Sequence, residues 1–147
     1  MKILLTGATG FIGKYVVEIL EKKYSKENLI ILSSKNVPGI KSIPALDYHF
    51  NKEYLKEEGC EDAEVLIHMG AYIPKAQNEA NQISLTTQNI FSTQKLLDAC
   101  DDLLIKKVIF ISSVDVYENS EEIYTEQTLV SPATMYGWSK IYCEHMI

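Results

Sequence analysis

The chain is poor in the residues that staple, span or neutralise: three cysteines, no long apolar run and no block of like charge in 147 residues. Cys60, Cys100 and Cys143 are scattered without CxxC spacing, which argues against a disulfide scaffold and for reduced thiols in a reducing compartment. The histidines (His49, His68, His145) do not cluster with them, so no metal site is expected. Basic residues number 14 against 20 acidic ones, a formal charge of −6. That sign disfavours nucleic acid, whose phosphates require a basic face. No apolar stretch approaches the roughly 20 residues that span a bilayer. Met1-Lys2-Ile3-Leu4-Leu5 stops at Thr6-Gly7, too short for a signal-peptide core. The expectation is a cytoplasmic protein that binds neither membrane nor nucleic acid.

With 46% apolar and 23% charged residues, the composition is that of an ordinary globular domain, and no linker or repeat divides it. One domain over 1–147 is expected. Short apolar runs alternate with helical patterns. Ile3-Leu4-Leu5, Leu29-Ile30-Ile31-Leu32, Ile43-Pro44-Ala45-Leu46, Val65-Leu66-Ile67-His68-Met69 and Val108-Ile109-Phe110-Ile111 read as strands. Pro44 assigns the third to a sheet edge. Helices are expected with Ile12, Val16, Ile19 and Leu20 on one stripe, over 53–58, over about 77–104 with Ile83, Ile90, Leu97 and Leu104 aligned and Leu96, Cys100 and Leu103 widening the stripe, and from near Thr134 onward. This β-α-β-α order implies an α/β fold, a Rossmann-type parallel sheet with helices on both faces.

Two constellations carry chemistry. Gly7, Gly10 and Gly13 lie between the first strand and first helix, in Thr6-Gly7-Ala8-Thr9-Gly10-Phe11-Ile12-Gly13. Such a turn brings backbone N–H groups at a helix start against a pyrophosphate, although the spacing is GxxGxxG rather than GxGxxG. Gly7, Thr9, Gly10, Phe11, Ile12 and Gly13 are the expected cofactor contacts here. The second strand ends in Ser33-Ser34-Lys35, with no carboxylate to hold a ribose diol. Hydroxyls and an ammonium suit a 2′-phosphate, so NADP is expected in preference to NAD, with a solvated Lys35 the plainer alternative. Asp47 meets an adenine amino group or caps the following helix; Tyr48 is beside it. Met69, Gly70 and Ala71 end the fourth strand with small residues that let a cofactor approach. His68 reads as a packed strand-end histidine.

The second constellation is Tyr136 and Lys140, at i, i+4 on the final helix, with Ser113 ending the fifth strand. A phenol titrates near 10, so acid–base work near pH 7 needs it brought down by roughly 4 kcal/mol. An adjacent ammonium and an oxidised nicotinamide ring both favour the phenolate. Ser113 would hold the substrate oxygen, and Lys140 would also clamp the nicotinamide ribose.

Together these motifs resemble the extended short-chain dehydrogenase/reductases, the NAD(P)-dependent sugar epimerase/dehydratase family. The glycine turn resembles its cofactor fingerprint. Phe110-Ile111-Ser112-Ser113-Val114-Asp115-Val116-Tyr117 is similar to its serine motif, and Pro132 with Tyr136-Gly137-Trp138-Ser139-Lys140 to its Tyr-x-x-x-Lys segment. The resemblance implies a structural and catalytic role for Asn89 and an adenine contact for Asp47. It implies a nucleotide-sugar substrate, hydride transfer by a Ser-Tyr-Lys site, and a homodimer through the 77–104 and final helices. Glu118 and Ser92 stand where the family commonly has glycine. The resemblance also implies a further half that completes the sheet and the sugar pocket; the final helix is still running at Ile147. The expectation is therefore a cofactor domain without its substrate domain. A non-catalytic NADP(H)-binding sensor, or an inactive fragment, on the same fold is the alternative reading.

Overall fold

The computed structural model describes residues 1–45, 51–117 and 123–147. Five strands, β1 (Lys2–Thr6), β2 (Leu29–Ser33), β3 (Lys41–Pro44), β4 (Ala63–His68) and β5 (Lys107–Phe110), form one parallel sheet in the order β3-β2-β1-β4-β5. The helices are α1 (Phe11–Tyr24), α2 (Lys52–Glu57), α3 (Gln77–Ala80), α4 (Ile83–Cys100) and α5 (Met135–Met146). The described chain forms two compact units: Met1–Ala71 with Lys95–Ile111, and Tyr72–Gln94 with Ser112–Ile147.

The first unit contains the whole sheet. Side chains alternate across a strand, so β1 sends Leu4 to one face and Ile3 and Leu5 to the other. Leu4, Ile30, Leu32 and Leu66 pack with Leu55 of α2 and Leu96, Ala99 and Cys100 of α4. Ile3, Leu5, Leu29 and Ile31 pack with Val17 of α1. Each fully buried Leu or Ile contributes about 1.5–3 kcal/mol relative to leaving it exposed, and β2 is buried along Leu29–Leu32 because both faces are covered. Pro44, which has no N–H for a ladder, lies in edge strand β3, as expected. All three cysteines are free and buried. Burial pushes the Cys60 thiol up to about 11 and Cys100 up to about 12, so neither is a ready nucleophile.

Two helical expectations are corrected. Half of the expected α1 stripe holds: Val16 and Leu20 pack on the core, but Ile12 and Ile19 are exposed, and Gly13 and Val17 are the buried positions. The single 77–104 helix is instead two. It breaks after Ala80, where Asn81 leaves helical geometry at ψ 3° and its Oδ1 accepts from the Met135 N–H at 3.3 Å. Within α4 the apolar series Ile83, Ile90, Leu97, Leu104 is not the buried face, since Ile83 is exposed and Leu104 lies beyond the helix, also exposed. The buried stripe is polar in the first half (Thr86, Asn89, Ser92, Thr93) and apolar in the second (Leu96, Ala99, Cys100). Among the described residues no helix is long and apolar enough to cross a membrane.

Candidate active site

The glycine turn of the first unit divides its labour. Gly7 sits at φ +69°, and a Cβ there would lie 2.5 Å from the Gly70 N; both the conformation and the space require glycine. Gly13 is buried in α1, and a Cβ would run into the Gly7 carbonyl. Gly10 is different. A Cβ there would meet one atom, the Gly7 O at 3.2 Å, so packing within the chain gives little reason for glycine. Gly10 is also the N-cap of α1 and gives it no side-chain cap. The first N–H groups of that helix are thus open to an anion, with the positive end of the helix dipole behind them. The turn fits a dinucleotide pyrophosphate.

Beside it lies a pocket of about 230 Å³ lined by Thr6, Gly7, Thr9, Leu32, Ser33, Ser34, Ala45, Gly70 and Ala71. Gly7, Thr9, Ser33, Ser34, Gly70 and Ala71 were legible in the sequence; Thr6, Leu32 and Ala45 were not singled out. Lys35 and Met69 do not line it. The Ser33 Oγ accepts from the Lys35 N–H at 3.1 Å, which leaves the serine proton to donate. Phe11 and Ile12 are exposed at the start of α1. Asp47 and Tyr48 lie outside the described residues.

The second unit holds Ser113, Tyr136 and Lys140. Ser113 ends the loop after β5 and caps a 3-10 turn over Val114–Val116, its Oγ accepting from the Asp115 N–H at 3.2 Å. Thr134 caps α5 by accepting from the Gly137 N–H at 3.0 Å. That places Tyr136 in the first turn of α5, on the same cavity as Ser113. This cavity, of about 640 Å³, has Lys75, Gln77, Asp115, Thr134 and the Tyr117–Tyr124 pair among its walls. The two rings of that pair stack at 4.9 Å and 17°. Glu79, unremarked in the sequence, fastens another wall: it accepts from the Tyr72 hydroxyl at 2.7 Å and from the Lys75 N–H at 2.8 Å.

Lys140 is one turn further along α5, 2% exposed, and does not line the cavity. Burial pushes its pKa down, with Cys143 and Glu144 opposing. Burial likewise pushes the Tyr136 phenol up, with Ser113 opposing and Asp115 and Cys143 adding to the rise. The sequence suggested a phenol depressed by its lysine neighbour. In the chain alone the direction is the opposite, because desolvation disfavours both charged forms. Asn89 does not face the cavity. Its Oδ1 accepts from the Tyr72 N–H at 2.7 Å and its Nδ2 donates to the Tyr72 carbonyl at 3.1 Å and to Ser139 Oγ at 3.4 Å. It fastens α4, the chain at Tyr72 and α5 together, a positioning role. Among the described residues no group of three His, Cys, Asp or Glu could hold a metal ion.

The model of the NAD dependent epimerase/dehydratase family matches residues 3–147. The uncharacterized UDP-glucose epimerase YtcB of Bacillus subtilis is 31% identical over 162 residues, covering 99% of this chain and 50% of that protein. Among solved structures, UDP-N-acetylglucosamine 4-epimerase from Bacillus cereus superposes with a TM-score of 0.79 at 29% identity, covering 99% of this chain and 51% of that one. MoeE5 in complex with UDP-glucuronic acid and NAD gives 0.82 at 26% identity, covering 99% and 48%. The chain thus spans about half the length of these relatives. With the glycine turn and the Tyr136 segment both inside the matched region, the chain belongs to the NAD-dependent epimerase/dehydratase family.

Proposed function

We propose that this chain supplies the dinucleotide site and the proton-transfer residues of an enzyme that oxidises and reduces a carbinol carbon of a nucleotide-linked sugar. The observation that carries the reading is that Ser113 and Tyr136 line the same 640 Å³ cavity. Tyr136 takes the proton of the sugar hydroxyl as the C–H bond gives up hydride, and returns it in the reverse direction. Ser113, whose Oγ orientation is set by the Asp115 N–H, holds the same oxygen. Burial disfavours the Lys140 ammonium in the chain alone; a phenolate formed at Tyr136 would favour the charged lysine, and the charged lysine the phenolate. Gly7, Gly10 and the start of α1 hold the pyrophosphate, with Thr9, Ser33, Ser34, Gly70 and Ala71 around the remainder. Bound NAD(P) supplies the hydride acceptor and, when oxidised, a positively charged ring. Epimerisation, dehydration and reduction all use this step.

The ribose end of the pocket is lined by Ser33 and Ser34, with no carboxylate among its described lining residues. A 2′-phosphate would gain hydroxyl donors there and attraction from the nearby exposed Lys35. A partly exposed contact of this kind is worth on the order of 1 kcal/mol, a preference of about fivefold for NADP over NAD. Calorimetry at low salt should give that ratio, a smaller one at high salt, and a shift toward NAD in Lys35→Glu. NAD binding tighter than NADP to the unaltered chain would remove the preference. Failure to bind either dinucleotide would remove the cofactor reading itself.

Phe91 of α4 and Trp138 and Tyr142 of α5 are exposed aromatics. We infer that a second copy of the chain covers them, since apolar surface of this kind is commonly buried by association. Sedimentation velocity at micromolar concentration should give a dimer, and a clean monomer would exclude it.

A further inference from the structure

The ends of β1 and β4 are joined through a single hydroxyl. Thr6 and His68 are register partners on adjacent strands, 2% and 1% exposed. The Thr6 Oγ1 lies 2.6 Å from His68 Nδ1 and accepts from the Gly70 N–H at 3.0 Å. A threonine hydroxyl has one proton and two lone pairs. Gly70 occupies one lone pair, and the imidazole takes either the proton or the other lone pair. Both neighbours together fix the Thr6 side-chain torsion. The Met69 N–H also reaches the Thr6 carbonyl at 3.3 Å, and the Gly7 turn lies directly against Gly70. Thr6, Gly7 and Gly70 all line the 230 Å³ pocket; His68 does not.

We propose that His68 is a positioning residue for the dinucleotide. It acts through Thr6 to keep the Gly70 backbone and the Gly7 turn in the arrangement the ligand meets. The inference rests on the reading of this pocket as the dinucleotide site. Without a polar atom at the Nδ1 position, the Thr6 hydroxyl loses one of its two constraints. It is then free to leave its rotamer, and Gly70 N–H loses a buried acceptor. A part-buried donor that loses its partner is costly, and the pocket wall relaxes to satisfy it. The imidazole has a second, separable role: its ring lies 5.4 Å from that of Phe110, centroid to centroid. That contact bears on stability and not on the pocket wall.

The two roles separate by substitution. Phenylalanine keeps a ring beside Phe110 and removes the polar atom. Asparagine removes the ring and places an amide atom where Nδ1 was. NADH and NADPH titrations followed by fluorescence, with thermal melts alongside, should be run on the parent, H68F and H68N chains. H68F is expected to bind dinucleotide about fivefold to tenfold more weakly. H68N is expected to bind within about twofold of the parent while melting at a lower temperature. Affinity would then follow the hydrogen bond, and stability the ring. Parent-like affinity in H68F, or equal weakening in both variants, would overturn the proposal. If either variant fails to fold, the Thr6→Val and Thr6→Ser pair decides. Valine removes the hydroxyl at nearly constant shape and should weaken binding about tenfold, serine by much less; equal affinities would overturn it. A parent chain that binds neither nucleotide would instead refute the dinucleotide reading, and this inference with it, an outcome distinct from variants that match a binding parent.

Discussion

Tyr136→Phe is expected to lower turnover by about a thousandfold while leaving dinucleotide affinity within about twofold. The substitution deletes one oxygen from a side chain that is otherwise buried in α5. Its ring packing survives, so neither stability nor the glycine turn of the other unit should change. What is lost, on the proposed reading, is the group that moves the proton, a contribution of about 10²–10⁴ in rate for a positioned acid or base. Because the lost interaction belongs to the transition state, kcat and kcat/KM should fall together. The pH profile gives an independent reading. Burial raises the phenol above its ordinary value of 10, so the basic form is scarce at neutral pH and grows as pH rises. Carbinol oxidation by the parent should therefore quicken with rising pH, until the phenol's own pKa is passed. The Phe variant should lose that rise. The measurement belongs on a preparation that turns over a nucleotide sugar. Near-normal turnover there, or an unchanged pH profile, would exclude Tyr136 as the proton carrier.

Much of the sheet was legible because a doubly covered strand must be apolar throughout: Leu29-Ile30-Ile31-Leu32 admits little else, and Pro44 marked the edge strand. The glycine turn was legible because steric demands at Gly7 and Gly13 leave no alternative residue. Polar burial was not. Thr86, Asn89, Ser92 and Thr93 are buried on α4 because their side chains find partners, such as Ser92 Oγ donating to the Asn89 carbonyl at 3.1 Å. Hydrophobic periodicity selects the apolar residues Ile83 and Ile90 instead. The same blindness hid Thr6, whose value lies in two hydrogen bonds to residues more than 60 positions away. The spacing of Tyr136 and Lys140 on one helix was readable, but the direction of the tyrosine and lysine shifts was not. Those directions depend on desolvation, and desolvation depends on how deeply α5 is buried.

Gly137→Ala should destabilise the chain by about 3 kcal/mol, an effect whose sign alone is diagnostic. In an open helix, alanine is about 1 kcal/mol more favourable than glycine, so a glycine kept only by chance would yield a more stable variant. Gly137 is buried in the first turn of α5. A Cβ there would overlap the Asp115 carbonyl oxygen and lie 2.8 Å from the Pro132 Cβ and 3.0 Å from the Asp115 carbonyl carbon. Its principal neighbour is backbone, which cannot rotate away as a side-chain tip can. That backbone is held on both sides: the Tyr117 N–H donates to the Val114 carbonyl at 3.0 Å, and the Ser131 N–H donates to the Val116 carbonyl at 2.9 Å. Relief must come from moving α5 away from the 114–116 turn, at the cost typical of overpacking a close contact. The same movement would separate Tyr136 from Ser113, because Gly137 adjoins the one and the turn carries the other. Activity should therefore fall further than the loss of folded protein accounts for. Urea unfolding measures the first effect as a lowered midpoint at unchanged slope. A midpoint equal to or above the parent's would show that the helix start is not in close contact with the turn, and that the glycine in this tyrosine–lysine segment has no packing role.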